Sequence, residues 1–197
     1  MKATITSLIF LLLSLTVSSQ TYKYIGIEEG LSNQKIYKIQ KDARGYMWFL
    51  THVGIDQYNG KEIKHYKLRE GNRELDPLLN INWTFLDKTG TLLVTGKQGR
   101  IFRYDSGHDR FVQIYNMYNY WNKDYHAFVR YSYIDQEDNV WLCGKSAIHL
   151  FNIESGQKQQ ISNRLGNITC IEQINSEHFF IGTDKRIYLA KLENGNL

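Results

Sequence analysis

The stretch that decides the fold is "DARGYMWFLTHVGIDQYNG", Asp42–Gly60. Asp42, Gly45, Trp48, Thr51, Gly54 and Tyr58 fall at near-regular intervals of three to four residues. None of these forms an obvious catalytic set. The pattern also returns. At 87–104 stands DKTGTLLVTGKQGRIFRY, with Asp87, Gly90 and Gly99 matching Asp42, Gly45 and Gly54, and Leu93 in place of Trp48. At 135–151 stands DQEDNVWLCGKSAIHLF, with Asp135, Trp141 and Gly144 at the places of Asp42, Trp48 and Thr51. At 174–189 stands INSEHFFIGTDKRIYL, read with one residue fewer ahead of Phe180, the fourth equivalent of Trp48. A unit that recurs about every 40–50 residues describes a building block rather than a reaction.

The internal pattern of each unit gives its secondary structure. An alternating apolar segment opens it (IYKIQ, WTFLD, YSYID, ITCIEQI), and a polar turn follows (DARG, DKTG, QEDN, NSE). A second apolar segment comes next (YMWFL, TLLVT, VWLCG, HFFIG), then a third (GIDQY, GRIFRY, AIHLF, RIYLA). A weaker fourth (EIKHYKL, RFVQIY, QKQQI) ends the first three units. Short runs rich in aromatic and β-branched residues, cut by turn signals every 8–12 residues, are strands of an all-β fold. About four four-stranded antiparallel units of this kind make β-propeller blades, at roughly 33–67, 81–116, 129–162 and 167–192. The repeated residues then take structural roles. The Asp side chains cap turn N–H groups, Gly45 and Gly90 supply positive φ, and Trp48 and Trp141 fill the space between blades.

The motif D-x-x-G-x-x-W-x-x-T-x-x-G-[IL]-x-x-Y-[DN]-G over Asp42–Gly60, preceded by Gly30-Leu31-Ser32, resembles the two-component regulator propeller repeat. The resemblance spans roughly 22–190. It implies an exported sensor region, of the kind that precedes a membrane helix and a histidine kinase in hybrid two-component systems. In such systems two seven-bladed propellers meet glycan breakdown products outside the cell. It therefore implies an oligosaccharide ligand, and as partners the remaining blades or parent chain. A membrane would be met only through that parent. The 197 residues hold about four blades and no kinase motif. They read as an N-terminal portion of such a chain, with a free-standing four-bladed protein as the rival. The stretch TYKYIGI, 21–27, has the pattern of a strand that closes a ring.

The rest of the sequence narrows the class. Lys2 followed by the apolar run 5–17 and the small residues Val17-Ser18-Ser19 reads as a signal peptide cleaved after Ser19. That makes the mature chain, 20–197, periplasmic or otherwise exported. Without residues 1–19 there are 23 basic and 20 acidic side chains, interleaved as in KEIKHYKLREGNRELD. A nucleic-acid surface would cluster its cations, so no nucleic-acid partner is expected. Cys143 and Cys170 sit in apolar runs and read as two buried free thiols, with a disulfide between them as the alternative for an exported chain. Six scattered histidines show no ligand spacing, and neither a metal nor a cofactor is expected. The aromatic insertion 113–128 carries Tyr118, Tyr120, Trp121 and Tyr125, a candidate platform for sugar rings. No catalytic residue is assigned. An exported glycan lyase or hydrolase and a purely structural propeller remain the alternatives.

Overall fold

The computed structural model describes residues 22–120, 128–193 and 197. The signal-peptide assignment, Trp121 and Tyr125 lie outside them. Blade 1 is a four-stranded antiparallel meander of β1 (Ile36–Lys41), β2 (Met47–Thr51), β3 (Ile55–Tyr58) and β4 (Ile63–Tyr66). A two-stranded hairpin follows, β5 (Arg69–Glu70) and β6 (Arg73–Glu74), and then one helical turn, α1 (Pro77–Asn80). Blade 2 holds β7 (Trp83–Leu86), β8 (Leu92–Thr95), β9 (Arg100–Asp105) and β10 (Arg110–Asn116). Blade 3 holds β11 (Tyr131–Ile134), β12 (Asn139–Cys143), β13 (Ala147–Asn152) and β14 (Lys158–Ser162). The fourth sheet has three strands, β15 (Ile168–Gln173), β16 (His178–Thr183) and β17 (Ile187–Lys191). Residues 22–26 form no strand, and β17 has no outer neighbour among the described residues. Successive first strands lie side by side, β1 by β7, β7 by β11 and β11 by β15. That is propeller geometry, with the first strand of each blade innermost.

Period-two alternation gives each blade two apolar faces, and the faces that adjacent blades turn toward each other pack together. Trp48, Leu50 and Ile55 of blade 1 pack on Leu92, Val94, Phe102 and Tyr104 of blade 2. Leu93 and Ile101, on the other face of blade 2, meet Val140, Leu142 and Phe151 of blade 3. Trp141, Cys143 and Ile148 then meet Ile168, Ile171, Phe179 and Ile181 of the fourth sheet. The core is therefore three inter-blade layers. The two outer faces are open. Phe180, Ile187 and Leu189 are exposed at one end, and Tyr37 and Ile39 at the other.

The repeated aspartates do more than cap turns. Asp42 Oδ1 accepts the N–H groups of Arg44 and Tyr46, while Oδ2 accepts the Trp48 indole N–H at 2.9 Å. Asp135 repeats this with Glu137, Asn139 and the Trp141 indole at 2.8 Å. In blade 2 the indole is lost, and Arg103, directly opposite Leu93 on β9, donates to Asp87 Oδ2 at 2.9 Å instead. Burial opposes ionisation of Asp87. Hydrogen bonds from Thr89, Thr91 and Arg103 outweigh it and hold the carboxyl below its ordinary range. The fourth sheet loses both partners together. The N–H of Ile174 donates to the carbonyl of His178, as Asp42 does to Tyr46, so Ile174 stands at the aspartate's place. The expected one-residue deletion ahead of Phe180 is thus absent. Without a carboxylate to mark it, the spacing alone does not fix the frame of this unit.

The turns follow suit. Gly45 and Gly90 have φ of +88° and +73°, and in blade 3 Asp138 takes the same left-handed place at +61°. Thr51 closes the β2–β3 turn, its N–H and Oγ1 both donating to the Gly54 carbonyl. Gly144 repeats the backbone bond with Ala147, and Thr183 repeats both bonds with Arg186. Gly54 is required by close approach, since a Cβ there would come 2.9 Å from the Tyr66 carbonyl oxygen. Gly99 combines positive φ with the side chain of Met117 packed over it. The Tyr58 hydroxyl donates to the Gly60 carbonyl at 2.7 Å. Bonds between the β-turns tie blade to blade: Ala43 N–H to Gly90 O, Lys88 N–H to Asp138, Gln136 N–H to Gln173.

Neither thiol is bonded, but only Cys143 is buried, and burial pushes its thiol up. Cys170 is exposed, contrary to expectation. It alternates with Ile171 on β15, and Ile171 takes the core-facing side.

Candidate ligand groove at the channel mouth

The inner strands bring together residues that are far apart in the chain. Trp83 begins β7, Phe128-Val129-Arg130 leads into β11, and Asn167-Ile168-Thr169 opens β15. Lys97, from the β8–β9 turn, and Asp184, from the β16–β17 turn, complete a groove of about 510 Å³. Backbone bonds fix its walls. The Val129 N–H donates to Lys97 O at 2.8 Å, Arg130 N–H to Cys143 O at 2.8 Å, and Asp184 N–H to Asn167 O at 3.1 Å. Across the floor runs a polar chain. Arg130 Nη1 donates to Asn167 Oδ1 at 2.9 Å, and Asn167 Nδ2 donates to Asp184 Oδ2 at 3.1 Å. Phe128 is exposed and Trp83 half-buried. Aromatic faces beside fixed donors and acceptors suit a polyhydroxylated ring, whose C–H face packs on π-faces while its hydroxyls bond to amide, guanidinium and carboxylate.

The aromatic insertion is placed differently from this groove. Tyr118 lies on a 3-10 turn, Met117–Asn119, half-buried against the layer between blades 2 and 3. Tyr120 stacks on Tyr115 with centroids 5.6 Å apart, and Tyr115 stacks on Phe151 at 4.7 Å. Lys158, on the outer strand of blade 3, sits over the Tyr120 ring. Of the insertion's described aromatics, only Phe128 lines the groove.

The opening Gly30-Leu31-Ser32 has a structural partner that the repeat pattern left unassigned. Asp56, fully buried on β3, accepts from both the N–H and Oγ of Ser32, at 2.8 and 2.9 Å. His65 Nδ1 lies 2.8 Å from its other oxygen. The remaining described histidines do not converge. His52 bonds Tyr37 and His108 bonds Asp105, while His149 is buried and pushed down to about 4 by that burial. Among the described residues, no group of three or more His, Cys, Asp or Glu side chains could hold a metal ion. Nor is any described helix long and apolar enough to cross a membrane.

A family model described as two component regulator propeller matches residues 30–52. These run from the Ser32–Asp56 anchor through the Asp42–Trp48 tie to Thr51. No curated protein matches the chain. Among solved structures, the extracellular domain described for the hybrid two component system BT3049 of B. thetaiotaomicron is similar at TM-score 0.66 and 16% identity, over 88% of this chain and 25% of that one. The corresponding domain of BT4673 is similar at TM-score 0.62 and 16% identity, over 82% and 21%. PorZ of Porphyromonas gingivalis, described as a surface component of the type-IX secretion system, is similar at TM-score 0.54 and 9% identity, over 82% and 20%. At such identities the likeness establishes the fold, and the chain spans a quarter or less of each of these structures. It is a stack of propeller blades whose residues 30–52 are similar to the two component regulator propeller repeat.

Proposed function

We propose that the chain is the N-terminal part of an exported sensor region, which binds a glycan-derived oligosaccharide at the channel-mouth groove and passes the signal to a parent hybrid two-component system. The carrying observation is the regulator-propeller repeat, set in blades shaped like the extracellular domains of two such systems. The groove adds the chemistry: Trp83 and Phe128 flank the Arg130–Asn167–Asp184 chain. The chain itself binds rather than catalyses, and phosphotransfer belongs to the parent. The remaining blades of that parent are its first partners.

The test is a thermal-shift screen of the purified chain against neutral and acidic oligosaccharides. A ligand present at 100 times its Kd stabilises by about 2.7 kcal/mol. For a domain of this size that raises Tm by about 5–10 °C. A saturable rise that Arg130→Ala or Asp184→Ala removes supports the reading. No rise with any saccharide overturns it.

A further inference from the structure

A second groove, of about 640 Å³, lies at the outer rim between blades 1 and 2. Its walls are β4 and β10, the β5–β6 hairpin closes one end, and Phe111 and Val112 line it. The charged groups around it divide into occupied and unoccupied. Lys67 pairs with Glu74 at 2.8 Å, and Glu70 pairs with Arg73 and Arg100. Asp109 accepts from Lys64 at 2.8 Å, Tyr66 at 2.6 Å and Tyr104 at 2.5 Å. Those three bonds hold its carboxyl well below the usual range, and they saturate its charge. Arg69 and Arg110 also line the groove, and neither side chain has an ion-pair or hydrogen-bond partner among the described residues.

One polar atom of the lining also lacks a partner. Gln113 Oε1 is buried with no hydrogen bond among the described residues, where buried polar groups are normally satisfied. Two free guanidiniums call for an oxyanion, which they can grip bidentately. An orphaned carbonyl acceptor calls for a hydroxyl donor.

We propose that this rim groove binds the carboxylate or sulfate group of an acidic saccharide, with Arg69 and Arg110 gripping the oxyanion and Gln113 accepting from a ring hydroxyl. The proposal rests on the saccharide-sensing reading above and adds a second subsite with a charge preference.

Isothermal titration of the purified chain tests it with four probes: a uronate oligosaccharide, a sulfated one, their neutral counterpart and inorganic sulfate. The acidic saccharides bind, the neutral one binds at least about tenfold more weakly, and their ranking names the oxyanion. Arg69→Gln and Arg110→Gln each weaken acidic binding by about tenfold or more, the loss expected for one charge-assisted contact. Both side chains are exposed, so the melting temperature stays put. Arg110→Lys, which keeps the charge and loses the fork, gives an intermediate loss. Acidic binding that survives both glutamine variants but is lost in Arg130→Ala overturns the rim site and leaves the sensing reading intact. Inorganic sulfate binding as tightly as the saccharides overturns it as an adventitious ion only. No binding of any saccharide overturns both.

Discussion

Replacing Trp48 with phenylalanine isolates the bond that most distinguishes this repeat. The indole N–H is the sole hydrogen-bond donor to Asp42 Oδ2, with Arg44 at 3.6 Å as the nearest cation. Both side chains are buried. A hydrogen bond to a charged group contributes about 1.5–3 kcal/mol. The smaller ring also leaves a void among Tyr66, Tyr104 and Phe111, whose rings lie 4.7–5.7 Å from the indole. Voids cost about 24 cal/mol per Å³. Together these give about 2–4 kcal/mol, or a Tm lowered by about 5–15 °C. Trp141→Phe loses an equivalent bond, but Asp135 Oδ2 keeps a second donor, Asn139 Nδ2 at 2.9 Å. Its carboxylate is left less exposed to the low-dielectric interior, so its loss is the smaller of the two. Calorimetry of both variants, with an Asp42→Ala/Trp48→Phe cycle, measures this. A Trp48→Phe melt within about 2 °C of the parent, or a larger drop for Trp141→Phe, refutes the account of the tie.

Glycine at two turns separates strain from collision. Gly60→Ala places a Cβ in open space at φ +95° and lowers stability by about 1 kcal/mol; Gly90→Ala has similar strain and also drives its Cβ into Ala43, so denaturant melts place it lower than Gly60→Ala. Acid weakens the fold through Asp87 and Asp109, both held below the ordinary carboxyl value of 3.8. The unfolded chain takes up these protons first, so their stabilisation is complete above that value and falls away as pH drops below it. Asp109→Asn flattens the Tm–pH curve below pH ~4, and an unchanged slope would remove Asp109 from the account. Thiol titration of the native chain finds Cys170 reactive and Cys143 protected until denaturant is added; rapid labelling of both would contradict the packing of β12.

What the sequence made legible is what repeats locally. Asp42, Gly45 and Trp48 lie within one hairpin, so their spacing survives in the linear text and names the blade. Even there the aspartate reads only as a turn cap. The indole bond shows only in three dimensions: blade 2 replaces the tryptophan with Arg103 from across the sheet, and the fourth sheet lacks carboxylate and indole together. A six-residue interval was visible, but the reason for it was a contact between its ends. Gly30-Leu31-Ser32 was equally readable as a motif and opaque as a mechanism, because its partner Asp56 lies two strands further on.

The grooves were not legible, and the cause is topological. A propeller converges the starts of its inner strands, so Trp83, Arg130, Asn167 and Asp184 meet although they come from three units. The densest aromatic run in the sequence is 113–128, and density is a local property. In the structure Tyr115, Tyr118 and Tyr120 spend their faces on Phe151, the blade 2–3 layer and each other. The useful signal was weaker: single residues at the starts of inner strands, Trp83 on β7, Arg130 before β11 and Asn167 before β15. The same logic applies to the open faces. Phe180 occupies the position that in blades 1–3 faces the next blade, and its exposure with Ile187 and Leu189 follows from that register. A face built to the specification of an inter-blade layer is apolar because of what the repeat packs against elsewhere, and its composition carries no information about a ligand.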